Sequence, residues 1–135
     1  MIIRIWHGLT RSEDGDDYFD YIMKTGVPFY RSQKGCQGVL VSRRIKEGYA
    51  EFLLLSLWDS MESIRRFTGP EVDKAVYHFP GDRTWLVEME TFVRHFEILA
   101  AAIDPHLAEN PIGLMRETPG QDGAVRRPFK AGLGI

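Results

Sequence analysis

His7 is the residue whose type and position first suggest chemistry. It stands in the row Ile3, Ile5, His7 and Leu9 of an alternating segment, Ile2 to Thr10. In an extended chain successive side chains point to opposite faces, so Ile2, Arg4, Trp6 and Gly8 share the other face. Imidazole titrates near pH 6.5, so in an apolar row it can serve as a base at neutral pH. The structural counterpart of that reading is a histidine at the mouth of the core, bonded to a hydroxyl or carbonyl. His7, His78, His95 and Glu97 could in principle supply a two-histidine, one-carboxylate metal set. They share no tight local motif, and no metal is expected. No serine nucleophile, phosphate-cradling glycine loop or paired catalytic carboxylate is recognisable.

The elements that must position these residues repeat one order twice. After the first strand, Thr10 and Glu13 read as a capping box, and Glu13, Asp14, Asp16 and Asp17 suit the positive end of a helix. Tyr18, Tyr21, Ile22 and Thr25 follow at helical spacing. Gly26 can end that helix, and Pro28 can start a short second segment carrying Phe29 and Tyr30. Gln37 to Lys46 and Tyr49 to Trp58 read as strands joined by a Glu47-Gly48 hairpin turn. Asp59 and Glu62 form a second capping box, opening a helix with Met61, Ile64 and Phe67 inward. Thr68-Gly69-Pro70 interrupts it, and Val72, Ala75, Val76 and Phe79 predict that it resumes over Glu71 to Phe79, with Pro80-Gly81-Asp82 closing it.

Trp85 to Leu99 is rich in β-branched and aromatic residues. At about 3.3 Å per residue one strand there would reach roughly 50 Å, so a bulge or bend near Glu90-Thr91 is expected. The order β-α-β-β-α-β predicts an α+β, ferredoxin-like fold: an antiparallel sheet with both helices on one face.

The strand Phe52 to Trp58 is apolar on both faces except for Ser56, the pattern of a strand covered on both sides. Helices cover one side, and a second copy is the simplest cover for the other. Burying a leucine is worth about 1.5 to 3 kcal/mol, so an exposed row of Leu53, Leu55 and Leu57, or of Phe52 and Leu54, favours association. A homodimer through the sheet face is expected.

Residues 1–99 read as the domain and 100–135 as a C-terminal extension rich in Pro and Gly without sustained period. The extension is expected to pack on the domain or on the partner subunit. Ala100 to Glu109 can form a helical turn, and Ile112, Leu114, Met115 and Phe129 are candidate anchors. At 135 residues, with net charge −2 and pI near 6.1, the chain has no electrostatic case for binding nucleic acid or an anionic membrane. A lone cysteine, Cys36, excludes a disulfide framework within the chain. With no leader-like start or bilayer-length apolar run, the expected location is cytoplasmic.

Several of these segments resemble the antibiotic biosynthesis monooxygenase family over roughly residues 1 to 99. They are Ile2 to Gly8, Gly26 to Arg31, Leu55 to Ser60, Ile64 to Gly69 and Val93 to Glu97. The resemblance implies a dimeric α+β barrel of two ferredoxin-like sheets, with a pocket between sheet and helices in each subunit. The family includes cofactor-independent oxygenases of polyketide aromatics and haem-degrading enzymes, and the fold alone does not choose among them.

The haem-degrading pattern has an Asn on the first strand, a Trp on the second helix and an iron-ligating His further along. Those positions fall on His7, Phe67 and Tyr77, with His78 one residue from the last. One residue turns a helix by about 100°, so His78 does not simply replace the ligand. The oxygenase branch implies instead a base, an apolar cavity and no cofactor. The candidates are His7 and His78 as bases and Tyr77 as donor to a substrate oxygen. Phe67, Trp58, Val76 and Phe29 are candidate walls. The expected ligand is a small apolar or aromatic molecule, and the expected activity is cofactor-independent monooxygenation of an aromatic or polyketide-like substrate. The alternative is a non-catalytic dimeric binding protein, and a haem-binding or haem-degrading protein ranks behind both.

Overall fold

The computed structural model describes residues 1–109. The chain forms two units, Met1–Leu99 and one beginning at Ala100. The first holds β1 (Ile2–Arg11), α1 (Gly15–Lys24), α2 (Gly26–Arg31), β2 (Cys36–Lys46), β3 (Tyr49–Trp58), α3 (Met61–Thr68), α4 (Asp82–Trp85), β4 (Leu86–Met89) and β5 (Arg94–Glu97). In the second, the described part includes α5 (His106–Glu109), where the His106 backbone N–H donates to the Asp104 carboxylate at 2.9 Å. The candidate anchors Ile112, Leu114, Met115 and Phe129 lie outside the described residues.

All strand pairs are antiparallel, in the order β2-β3-β1-β4, with β5 also on β1. This is the ferredoxin-like α+β arrangement. The Glu47-Gly48 turn has φ of 54° and 83°, the left-handed pair that a two-residue hairpin turn requires. The stretch from residue 85 breaks where its length demanded. β4 pairs with Gly8 to Thr10 and β5 with Ile2 to Ile5, either side of residues 90–93.

One face of the sheet is covered. Arg4, Trp6, Gly8 and Thr10 of β1 are buried, as are Ala50, Phe52, Leu54, Ser56 and Trp58 of β3, which lie opposite them or their neighbours on that face. Tyr18 of α1 meets Phe52 edge-on at 5.1 Å, and Phe67 of α3 meets Trp58 at 5.2 Å, so the helices lie on this side. The row Ile3, Ile5, His7 and Leu9 therefore points away from the helices, with Leu53, Leu55 and Leu57. His7, a candidate base of a pocket between sheet and helices on the sequence alone, is therefore on the other face of the sheet from that pocket. The row with Arg4 and Gly8 reads as polar, yet Trp6 supplies its bulk and Gly8 makes room for it, since a Cβ there would overlap the Trp6 ring. Arg4 is 1% exposed because backbone carbonyls receive its N–H groups. The open face keeps Leu40, Leu53 and Phe96 exposed.

Three local expectations are corrected. Thr10 and Glu13 form no capping box: residues Ser12–Asp14 make a 3-10 turn and the Thr10 hydroxyl donates to the Arg11 carbonyl. Ser60, not Asp59, caps α3, its Oγ accepting from the Ser63 N–H at 3.2 Å. The helix expected over Glu71 to Phe79 does not form. Val93 N–H donates to the Asp73 carbonyl at 2.8 Å, Ala75 N–H to the Thr91 carbonyl at 2.9 Å, and Lys74 bridges Phe92. A short helix is marginal without tertiary support, and these cross-chain bonds take the backbone groups a helix would need. Pro80-Gly81 then leads into α4 rather than ending a long helix. Among the described residues no helix is long and apolar enough to cross a membrane.

Candidate functional site

Between the sheet and the helices lies a cavity of about 50 Å³. β1 contributes Trp6, α1 Tyr18, α2 Phe29, α3 Phe67, the extended segment after it Val76, Tyr77 and His78, and α4 Asp82. Val76, Tyr77 and His78 come from the irregular stretch that stands in place of the expected helix, and all three line the cavity.

Ring contacts organise the wall. Phe29 stacks on His78 with centroids 4.4 Å apart and planes 7° from parallel, and it meets Phe67 at 5.7 Å. Trp6 meets Tyr77 edge-on at 6.2 Å, and its indole N–H donates to the Tyr77 hydroxyl at 2.9 Å. That hydroxyl donates in turn to the Glu90 carbonyl at 2.6 Å. Burial is the main reason the Tyr77 phenol titrates above its ordinary value. Its proton is thus committed to the backbone, and it is not a free donor to a ligand.

The cavity also holds an acid that sequence reading missed. Asp82 accepts a hydrogen bond from the Tyr18 hydroxyl at 3.1 Å. Burial raises the Asp82 carboxyl above its ordinary value, opposed by that hydrogen bond. Burial, with the nearby Asp82 charge, pushes the Tyr18 phenol up as well. Nothing local marks Asp82: it follows Pro80-Gly81 and reads as a turn residue.

Five expected residues, Phe29, Phe67, Val76, Tyr77 and His78, gather around the cavity, and two do not. Trp58 is fully buried in the core, its indole N–H donating to Ser56 at 2.8 Å. His7 lies on the opposite face of the sheet. Its Nε2 is 2.7 Å from Glu51 and its Nδ1 3.2 Å from Glu90, and Arg44 also pairs with Glu51. Arg44, more than His7, holds the Glu51 carboxyl below its usual range. His95 sits on the helix side, 2.9 Å from Arg4, so His7 and His95 do not converge on a metal. Among the described residues no group of three or more His, Cys, Asp or Glu could hold one.

No protein-family model matches the chain, and no curated protein matches it in sequence. Solved structures match in fold. A candidate antibiotic biosynthesis monooxygenase from Bacillus cereus is 16% identical with a TM-score of 0.53, covering 75% of this chain and 97% of its own. The protein Rv0793 from Mycobacterium tuberculosis is 14% identical with a TM-score of 0.50, covering 76% and 100%. The haem degrader MhuD from the same organism, with two haems bound in its active site, is 13% identical with a TM-score of 0.49, covering 76% and 99%. At these identities the likeness is one of fold: over about three quarters of the chain the α+β fold is that of antibiotic biosynthesis monooxygenase structures.

Proposed function

We propose that this domain is a cofactor-independent monooxygenase acting on a small aromatic or polyketide-like hydroxy compound in the cavity between sheet and helices. The observation that carries the reading is the aromatic-walled cavity with a titratable group inside it. A phenol or hydroquinone that loses its proton becomes electron-rich enough to reduce dioxygen, and a dry apolar site protects the resulting intermediates. The ring carbon forms a bond to oxygen, the peroxide loses water, and a carbonyl remains. One 1,4-dihydroxynaphthalene and one dioxygen give one hydroxynaphthoquinone and one water. Four electrons pass from the ring to oxygen, and no outside reductant is needed.

The cavity has room for no more than a few waters, whereas ligand sites commonly run to about 300 Å³ or more. Substrate entry therefore displaces the stacked Phe29–His78 pair, whose histidine is already exposed. The open sheet face, with Leu40, Leu53 and Phe96 uncovered, packs against a second copy of the chain.

Oxygen uptake with 1,4-dihydroxynaphthalene under labelled dioxygen tests the activity. The expected result is one labelled oxygen in the product and no hydrogen peroxide. Unlabelled naphthoquinone with stoichiometric peroxide refutes it, and saturable binding without uptake assigns the pocket to a binding protein. Sedimentation tests the dimer. The chain should run at twice its 15.5 kDa mass and Leu53→Glu at that mass, whereas a monomeric wild type refutes the interface.

A further inference from the structure

We propose that Asp82, held by Tyr18, is the proton acceptor of this cavity, and that the ligand it serves presents an acidic hydroxyl to the carboxylate. The inference rests on the pocket reading above and adds the residue and the ligand group.

The other titratable residues around the cavity are already engaged or turned outward. The Tyr77 hydroxyl accepts from Trp6 and donates to the Glu90 carbonyl. The Tyr30 phenol is buried next to the Arg4 guanidinium. His78 is exposed and stacked flat on Phe29. Asp82 differs from all three. One of its oxygens accepts from Tyr18, the other has no hydrogen bond among the described residues, and no Lys, Arg or His pairs with it there. A carboxylate with one fixed hydrogen bond, one open oxygen and an apolar aromatic surround is a poor place for a lasting negative charge. It is a good place for a proton to arrive.

Tyr18 fixes the carboxylate's orientation from α1. The short α4 starts at Asp82 itself, directly after Gly81, which has no side chain where a Cβ would overlap the Tyr21 hydroxyl. Burial moves the acid upward, toward the operating range of a general base, while the Tyr18 hydrogen bond opposes the rise.

An aromatic pocket with one carboxylate is also the chemistry of an organic-cation site. The Arg4 guanidinium decides between them. Its carbon lies 5.7 Å from the centroid of Phe67, a cavity wall. A positive charge already beside the pocket opposes a second cation and favours a ligand that turns negative as its proton leaves.

Two probes test this. 4-Nitrophenol reports binding without turnover, and 1,4-dihydroxynaphthalene reports oxygen uptake. In the wild type, 4-nitrophenol affinity should fall on the acid side, below the phenol's own ionisation, as Asp82 takes up its proton. In Asp82→Asn this limb should vanish, and oxygen uptake should drop about a hundredfold. In Tyr18→Phe the limb should move to higher pH, because the carboxylate has lost its donor. Tyr18→Phe decides the matter if Asp82→Asn fails to fold, as judged by circular dichroism.

Oxygen uptake in Asp82→Asn within about threefold of wild type, with the acid limb unmoved, overturns the Asp82 assignment and leaves the oxygenase reading standing. An Asp82-dependent limb in 4-nitrophenol binding with no oxygen consumed leaves Asp82 as proton acceptor and removes the oxygenase. Saturation by tetramethylammonium with no binding of 4-nitrophenol overturns the assignment in favour of a cation cage. Failure of all three probes to bind overturns both readings.

Discussion

Replacing Arg4 by methionine tests how the cavity wall is held. Arg4 is 1% exposed and joins β1 to the extended segment that follows α3. Its Nη1 donates to the Val72 carbonyl at 2.7 Å and to His95 Nε2 at 2.9 Å, and its Nη2 donates to the Lys74 carbonyl at 2.8 Å. Arginine only donates, so His95 Nε2 accepts and the proton of that ring lies on Nδ1, which donates to Asp73 at 3.2 Å. Truncation leaves two carbonyls and one ring nitrogen without donors, at roughly 1 to 3 kcal/mol each where water cannot reach them. Two effects offset this loss. The buried cation, whose Nε has no partner, is removed, and methionine refills much of the volume.

The net loss for Arg4→Met should be about 3 kcal/mol, a large share of the 5–15 kcal/mol typical of a domain. Arg4→Lys keeps the charge but not the fork, and it should fall in between. Urea denaturation followed by far-ultraviolet circular dichroism measures both. A loss below about 0.5 kcal/mol, or a gain, would mean that burying the cation costs as much as the staple returns. A second reading is available by proton resonance. Burial chiefly, and then the Arg4 charge, hold the His95 pKa down, so in Arg4→Met the His95 titration should move up.

Three further outcomes follow from the same geometry. Gly8→Ala places a methyl group in the Trp6 ring and should cost about 1 to 3 kcal/mol, with altered tryptophan emission; an unchanged melting temperature and spectrum would contradict the packing. His95 has a folded pKa below its ordinary 6.5, so its contribution is complete above that pH and is lost as pH falls through the folded value; His95→Gln should flatten this part of a stability–pH profile, and an identical slope in the variant would dismiss it. Asp82 has the opposite sign. Its folded pKa is raised above 3.8, so its contribution is present below that pH and fades as pH rises through the folded value, and Asp82→Asn should gain on wild type across this interval; a constant difference in melting temperature would refute the burial of the acid.

Legibility followed the range of the interactions. The Glu47-Gly48 turn, the two long strands it joins and the break in the stretch after Trp85 are written in short-range propensity and length. Helical spacing in Val72, Ala75, Val76 and Phe79 misled, because the partners that hold this segment extended, Thr91, Phe92, Val93 and Arg4, are far away in sequence. The capping boxes failed on a smaller scale. Thr10 and Asp59 had the right residue types, but backbone geometry chose a 3-10 turn in one case and Ser60 in the other.

By itself the sequence determined the order of the elements, their antiparallel pairing and the doubly apolar character of the central strands, since these rest on alternation, turn chemistry and length. Five cavity residues were also within its reach. Only the tertiary structure decided which row of β1 faces the helices. Both rows carry apolar side chains, and the choice depended on Trp6 lying over Gly8 and on distant carbonyls receiving Arg4. That choice moved His7 to the open face among Glu51, Glu90 and Arg44, and it left Asp82, brought in by a turn and aligned by Tyr18, as the carboxyl inside the cavity. A period tells which residues share a face, but which face is buried depends on contacts across the whole chain.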